Sequence, residues 1–146
     1  VGGIAGYSNN GSIIGINLSG NITGAALTGG IAGNINGGKT VDVDKLCESF
    51  LKLDDIEGIT LSGGEVFLQI DALHELLKIV RAQSDLGVII YTGFYIDELR
   101  KMDNPKVNEI LDGLADIIID GPYIQEERDI TLKMRGSRNQ RIIDIQ

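Results

Sequence analysis

Not one of residues 1–38 is charged, whereas residues 39–146 carry all 34 charges of the chain. The same 38 residues hold 12 of the 20 glycines. A shift so abrupt marks a boundary near Gly37-Gly38 and divides the chain into a glycine-rich segment, 1–38, and a domain, 39–146. At 146 residues, with 42% hydrophobic and 23% charged residues, the whole is globular on average rather than disordered, collagen-like or membrane-embedded. No apolar run approaches the roughly 18 residues of a spanning helix, and no basic-then-apolar leader opens the sequence, so a soluble protein is expected. A formal charge of -8 speaks against a nucleic-acid surface, because phosphate is repelled by such a field. Cys47 is the only cysteine, which excludes an internal disulfide and any metal site built from several cysteines.

The glycine-rich segment repeats itself: Gly2-Gly3-Ile4-Ala5-Gly6 returns as Gly29-Gly30-Ile31-Ala32-Gly33. Between the copies Ile13, Ile14, Ile16, Leu18 and Ile22 are spaced by Ser, Asn and Gly, the pattern of short strands and tight turns. The segment, residues 1–36, resembles the GLUG repeat of large bacterial surface proteins, which implies a β-solenoid-like coil. Only about one and a half copies are present, and stacking usually needs about three. A flexible glycine-rich tail is the alternative.

Residues 39–146 read as strands alternating with helices. A helix starts at Asp42, with Asp42 or Asp44 as its cap and Leu46, Phe50 and Leu53 on one stripe. Gly58–Leu61 is a strand, followed by a helix through Leu73, Leu76, Leu77 and Val80. Gly87–Tyr91 is the second strand. Ile96–Met102 is helical, Asn104-Pro105 interrupts, and Val107, Ile110 and Leu111 resume. Ala115–Asp120 and Arg141–Ile145 are the remaining strands. Continuous apolar strands with helices between them predict a parallel sheet covered by helices, with ligands at the carboxyl ends of the strands.

Three loops fall at those ends: Ser62–Glu65, Thr92-Gly93 and Gly121-Pro122. Adjacent glycines allow a ligand close to the backbone, and the carboxylate of Glu65 suits a cationic amine. The same residues also make an ordinary strand-to-helix turn, with Glu65 at the positive helix start. Thr92 and Tyr91 fit packing as well as ligand contact. Arg135, Arg138 and Arg141 form a basic cluster that either grips an anion or is a solvated loop. Cys47 is expected to be a small buried apolar residue and His74 a helix-surface residue.

Residues 37–146 resemble the radical S-adenosylmethionine activases of anaerobic ribonucleoside-triphosphate reductase. The resemblance is carried by Asn36–Lys39, Gly58–Glu65, Tyr91–Phe94, Ile119–Ile124 and Arg135–Arg141, in the family's order. It implies an α/β fold, an incomplete (β/α) barrel-like parallel sheet, here preceded by a glycine-rich β-type segment. It also implies S-adenosylmethionine and a 4Fe-4S cluster as cofactors, and a glycyl radical raised on the large reductase subunit as partner. The compartment implied is the cytoplasm, the repeat pointing instead to the cell surface. Gly63, Gly64 and Glu65 match the segment holding the methionine amino group, with Glu65 as carboxylate partner, and Thr92 matches a second loop of the pocket. The resemblance gives no individual roles to Asp120–Tyr123 or Arg135–Arg141.

One departure limits this. The family's CxxxCxxC cluster loop lies before the segment matching Asn36–Lys39, and here the glycine repeat stands in its place. A lone Cys47 within a helix cannot anchor a cluster. Val66 replaces the proline usual after Gly-Gly-Glu, restoring an amide hydrogen and loosening φ. The expectation is therefore family ancestry without competence in this chain, with a non-catalytic binding module or a chimeric fragment without selected activity as alternatives. A generic Rossmann-like domain is the alternative fold, but no Gly-x-Gly-x-x-Gly turn opens a helix.

Overall fold

The computed structural model describes residues 3–8, 13–16, 42–54, 56–62 and 65–145, with side chains described from residue 42 onward. The second repeat copy, Asn36–Lys39 and the pair Gly63-Gly64 lie outside the described residues.

The strands are β1 (Gly3–Ser8), β2 (Ile13–Ile16), β3 (Ile56–Ser62), β4 (Gly87–Tyr91), β5 (Ile117–Asp120) and β6 (Arg141–Asp144). They form one open sheet in the order β2-β1-β3-β4-β5-β6. The helices are α1 (Val43–Leu51), α2 (Ile70–Gln83, entered through a 3-10 turn at Val66–Gln69), α3 (Ile96–Arg100) and α4 (Pro105–Glu109). A π-type turn at Ile110–Leu114 ends α4, with Gly113 at φ 149°.

The starts of α1 and α4 have local causes. The Asp42 carboxylate accepts from the amides of Asp44 (3.1 Å) and Lys45 (3.4 Å), a cap that stabilises by about 1 kcal/mol. Asn104 caps α4 through the Lys106 amide (3.0 Å), and Pro105 sits at the first helical position, where its missing N–H costs nothing. The Asn-Pro pair therefore restarts the helix. The expected stripe fails at one point: α1 ends at Leu51, so Leu53 falls beyond it and is exposed.

Ile59 and Leu61 of β3, Val88 and Ile90 of β4, and Ile118 of β5 are buried together with Leu46 and Phe50 of α1, Leu73, Leu76, Leu77 and Val80 of α2, and Leu99, Val107 and Ile110. Burial alternates along β3 and β4, so Thr60, Ile89 and Tyr91 on the opposite face are only half-buried. One expectation is corrected here: the sheet is not wholly parallel. β3-β4 and β4-β5 are parallel, but β5-β6, β1-β3 and β1-β2 are antiparallel. The β5-β6 connection carries only a single 3-10 turn, at Gln125–Glu127, so the chain doubles back without the crossover helix that a parallel return normally requires. At the other edge, the described strands of the glycine-rich segment, β1 and β2, pair antiparallel, and β1 is added antiparallel to β3.

β3 and β4 approach closely where Gly58 faces Gly87: a Cβ on Gly58 would stand 2.5 Å from the Gly87 carbonyl oxygen. Only glycine fits at position 58.

Candidate functional site

The carboxyl ends of β3, β4 and β5 open onto a cleft of about 270 Å³ lined by Ser62, Tyr91, Thr92, Gly93, Gly121, Tyr123 and Gln140. None of these residues carries a formal charge. Behind this wall stands Glu65, the residue that follows the Gly-Gly pair. Its Oε1 accepts from the Thr92 hydroxyl (2.8 Å) and the Phe67 amide (3.1 Å), and its Oε2 accepts from the Gly93 amide (2.7 Å). Thr92 is 4% exposed, and its Oγ1 also accepts from the Phe94 amide (3.1 Å). The structure thus brings Glu65 and Thr92 into direct contact across 27 residues of sequence. Glu65 caps the 3-10 turn and ties two loops at once.

The far rim is the excursion between β5 and β6, and here the two motifs without assigned roles prove to hold each other. The Asp120 carboxylate, wholly buried, receives both Nε (2.9 Å) and Nη2 of Arg141, and its Oδ2 also accepts from the Ile96 amide (2.9 Å). The Gln140 amide nitrogen donates to the Gly121 carbonyl (3.2 Å), and its oxygen accepts from the Gly136 amide (2.8 Å). Asn139 donates to the Pro122 carbonyl (2.6 Å). Tyr91 donates to the Met134 carbonyl (2.8 Å), fixing the excursion over the end of β4, and burial pushes the Tyr91 phenol up. Gly121 has φ 98°, and a Cβ there would meet the Tyr95 ring at 2.8 Å.

Each arginine of the basic cluster has a partner within the fold, while Arg138 keeps 71% of its side chain exposed. Arg135 donates to the Gln140 carbonyl (3.1 Å), Arg138 to Asp129 (3.1 Å) and Arg141 to Asp120. Arg141 also lies over the Tyr95 ring, 5.2 Å from its centroid. Donors from Thr131 and Arg138 hold the Asp129 carboxyl down at about 2. His74 is not a plain surface residue either. Its Nε2 lies 2.6 Å from Glu109 Oε2, joining α2 to α4, and its side chain is 12% exposed.

A larger cleft of about 580 Å³ lies at the opposite, amino ends of β3, β4 and β5. Its cation, Arg81, is spent within the fold on the Leu86 and Leu114 carbonyls and on Asp116, so the charge there serves the structure.

Sequence reasoning placed Ser62 in a loop at the strand ends but missed Tyr123 and Gln140 as cleft residues. Tyr123 follows shortly after β5, whereas Gln140 arrives only through the antiparallel return of β6.

An open α/β sheet with an uncharged cleft at its strand ends defines the class, and comparison with known proteins defines the family. The model of the 4Fe-4S single cluster domain matches residues 31–143, and the chain belongs to that family. An anaerobic ribonucleoside-triphosphate reductase-activating protein of Haemophilus influenzae is 36% identical over 87 residues, 58% of this chain and 53% of its own length. One from Escherichia coli is 33% identical over 88 residues, covering 58% and 53%. One from Vibrio cholerae is 32% identical over 86 residues, covering 57% and 52%. The chain spans about half the length of these curated relatives. No solved structure matches.

The family implies an iron–sulfur cluster, and the residues present do not fit one. Cys47 is 2% exposed inside α1, and burial, aided by Asp44 and Glu75, pushes its thiol up to about 11. Cluster ligation takes several thiolates. Among the described residues no group of three or more His, Cys, Asp or Glu side chains is placed to hold a metal ion.

Proposed function

We propose that residues 39–146 are the S-adenosylmethionine-binding part of an activating protein for anaerobic ribonucleotide reductase, their open sheet a portion of an incomplete (β/α) barrel. In this reading Gly63, Gly64, Glu65 and Thr92 shape the methionyl end of the pocket. The partner is the large reductase subunit, and the compartment is the cytoplasm. The observation that carries the reading is the joining of Glu65 to Thr92 and Gly93 beside the cleft: two remote segments singled out for one cofactor meet at the strand ends where α/β sheets take ligands. Homology to activating proteins supports the partner.

Radical generation is not assigned to these 146 residues. A cluster would need thiolates from beyond them, and no step is derived through it. That shortage favours a second reading, a non-catalytic module that keeps the pocket or the docking surface.

Anaerobic reconstitution tests both readings. The expected result is no stoichiometric iron or acid-labile sulfide, with retained binding of S-adenosylmethionine or of the reductase subunit. About four irons and four sulfides per chain, with an electron paramagnetic resonance signal perturbed by S-adenosylmethionine, would overturn the cluster-free reading. Binding of neither ligand nor subunit would overturn the activase reading altogether.

A further inference from the structure

We propose that Glu65 and Thr92 are positioning residues, whose mutual hydrogen bond, together with the hold of Glu65 on Gly93 and of Thr92 on Phe94, fixes one wall of the cleft, and that neither side chain touches the ligand. The proposal rests on the reading of the cleft as an S-adenosylmethionine site and changes what its two side chains do there.

An ionised carboxylate has about four acceptor positions. Glu65 fills three of them with donors from its own fold: the Thr92 hydroxyl, the Gly93 amide and the Phe67 amide. Thr92, 4% exposed, donates to Glu65 and accepts from the Phe94 amide, so its hydroxyl is spent in both directions. Glu65 is not among the residues lining the cleft, whereas Gly93, which it holds, is. A Cβ at position 93 would lie 3.4 Å from Glu65 Oε2, at the edge of ordinary contact, so carboxylate and loop pack directly against each other. The carboxylate is therefore a bracket between the loop after β3 and the loop after β4. Among the described residues the lining left for ligand is Ser62, Tyr91, Gly93, Gly121, Tyr123 and Gln140.

Glu65→Gln keeps the shape but replaces one acceptor oxygen by a donor NH2, which cannot receive both Thr92 and Gly93. Thr92→Val keeps volume and removes the hydroxyl. Two probes separate positioning from contact: S-adenosylmethionine, and 5′-methylthioadenosine, which lacks the ammonium and carboxylate. Positioning predicts that each variant weakens both probes by a similar factor, about tenfold for loss of a charge-assisted hydrogen bond, with the double variant little worse than either single. Direct contact between Glu65 and the ammonium predicts that Glu65→Gln weakens S-adenosylmethionine alone, which would overturn the proposal.

Hydrogen exchange of the ligand-free protein provides an independent arm. Positioning predicts faster exchange at the Gly93 amide in Glu65→Gln while Val88–Ile90 amides stay protected, which also shows that the variant folds. Unchanged exchange at Gly93 would sink the bracket. If the wild-type chain binds neither probe, the cofactor reading fails, and the exchange arm alone decides the bracket.

Discussion

Asp120 and Arg141 face each other in register across the antiparallel pair β5-β6, and the arginine closes on a carboxylate with no exposure to solvent. The pair lies where the sheet stops being parallel. Asp120 also holds the first amide of α3, so one buried anion organises the end of β5, the start of a helix and the returning strand. The hydrogen bonds to Asp120, and then its charge, in turn raise the Arg141 guanidinium above its ordinary value.

Removing one partner leaves the other charge without compensation. Arg141→Met is expected to destabilise the fold by about 3 kcal/mol, the low end of the range for breaking a buried pair, because Arg141 itself is 44% exposed. Urea unfolding against wild type measures this. A change below about 0.5 kcal/mol, typical of surface substitutions, would show that Asp120 is satisfied without the arginine.

Gly58 and Gly87 face each other, yet their tolerance should differ. Gly58→Ala drives a Cβ against backbone at 2.5 Å and should prevent β3-β4 pairing. At Gly87 the nearest atom is the Glu57 carbonyl oxygen at 3.5 Å, ordinary contact, so Gly87→Ala should fold. Soluble yield and thermal melts of the two variants check the contrast; equal behaviour in either direction contradicts the geometry.

Asp129 provides a pH-dependent prediction with a fixed sign. Its folded value of about 2 lies below the ordinary unfolded value of about 3.9. A depressed carboxyl contributes stability that is complete above the unfolded value and is lost as pH falls through the folded one. The contribution should therefore be intact above about pH 4 and fade toward about pH 2. Thr131→Ala removes the hydroxyl donor at 2.6 Å, and carboxyl chemical-shift titration should then find Asp129 moved up toward its ordinary value.

Cys47 should resist thiol reagents in the native state. A buried thiol pushed up to about 11 contains almost no thiolate at pH 8. Iodoacetamide at that pH should modify it only in denaturant. Rapid native labelling would mean that α1 opens locally.

Much of the scaffold was readable in advance. The strand cores Gly58–Leu61 and Gly87–Tyr91 and the buried stripe Leu73, Leu76, Leu77, Val80 follow from local apolar pattern, and the Asp42 cap from local polar chemistry. The direction of β6 was not readable from Arg141–Asp144, because an apolar strand looks alike run either way. Its direction is set by the connection, whose turns bring Asn139 to Pro122 and Gln140 to Gly121. At the site, the sequence singled out Glu65 and Thr92 but not their bond to each other, because pairing across 27 residues leaves no periodic trace. The partners of Arg135, Arg138 and Arg141 were likewise not legible, because each acceptor is fixed by how the excursion folds rather than by a sequence pattern.

β3 is bonded in parallel to β4 on one side and antiparallel to β1 on the other. Main-chain ladders are indifferent to side-chain ancestry: any extended stretch of matching length can saturate such a border. The β3 edge is therefore read through its main chain, so any strand that can follow its register serves to close it. Among the described residues the helix-packed core is built from Val43 onward, on the other side of that main-chain border.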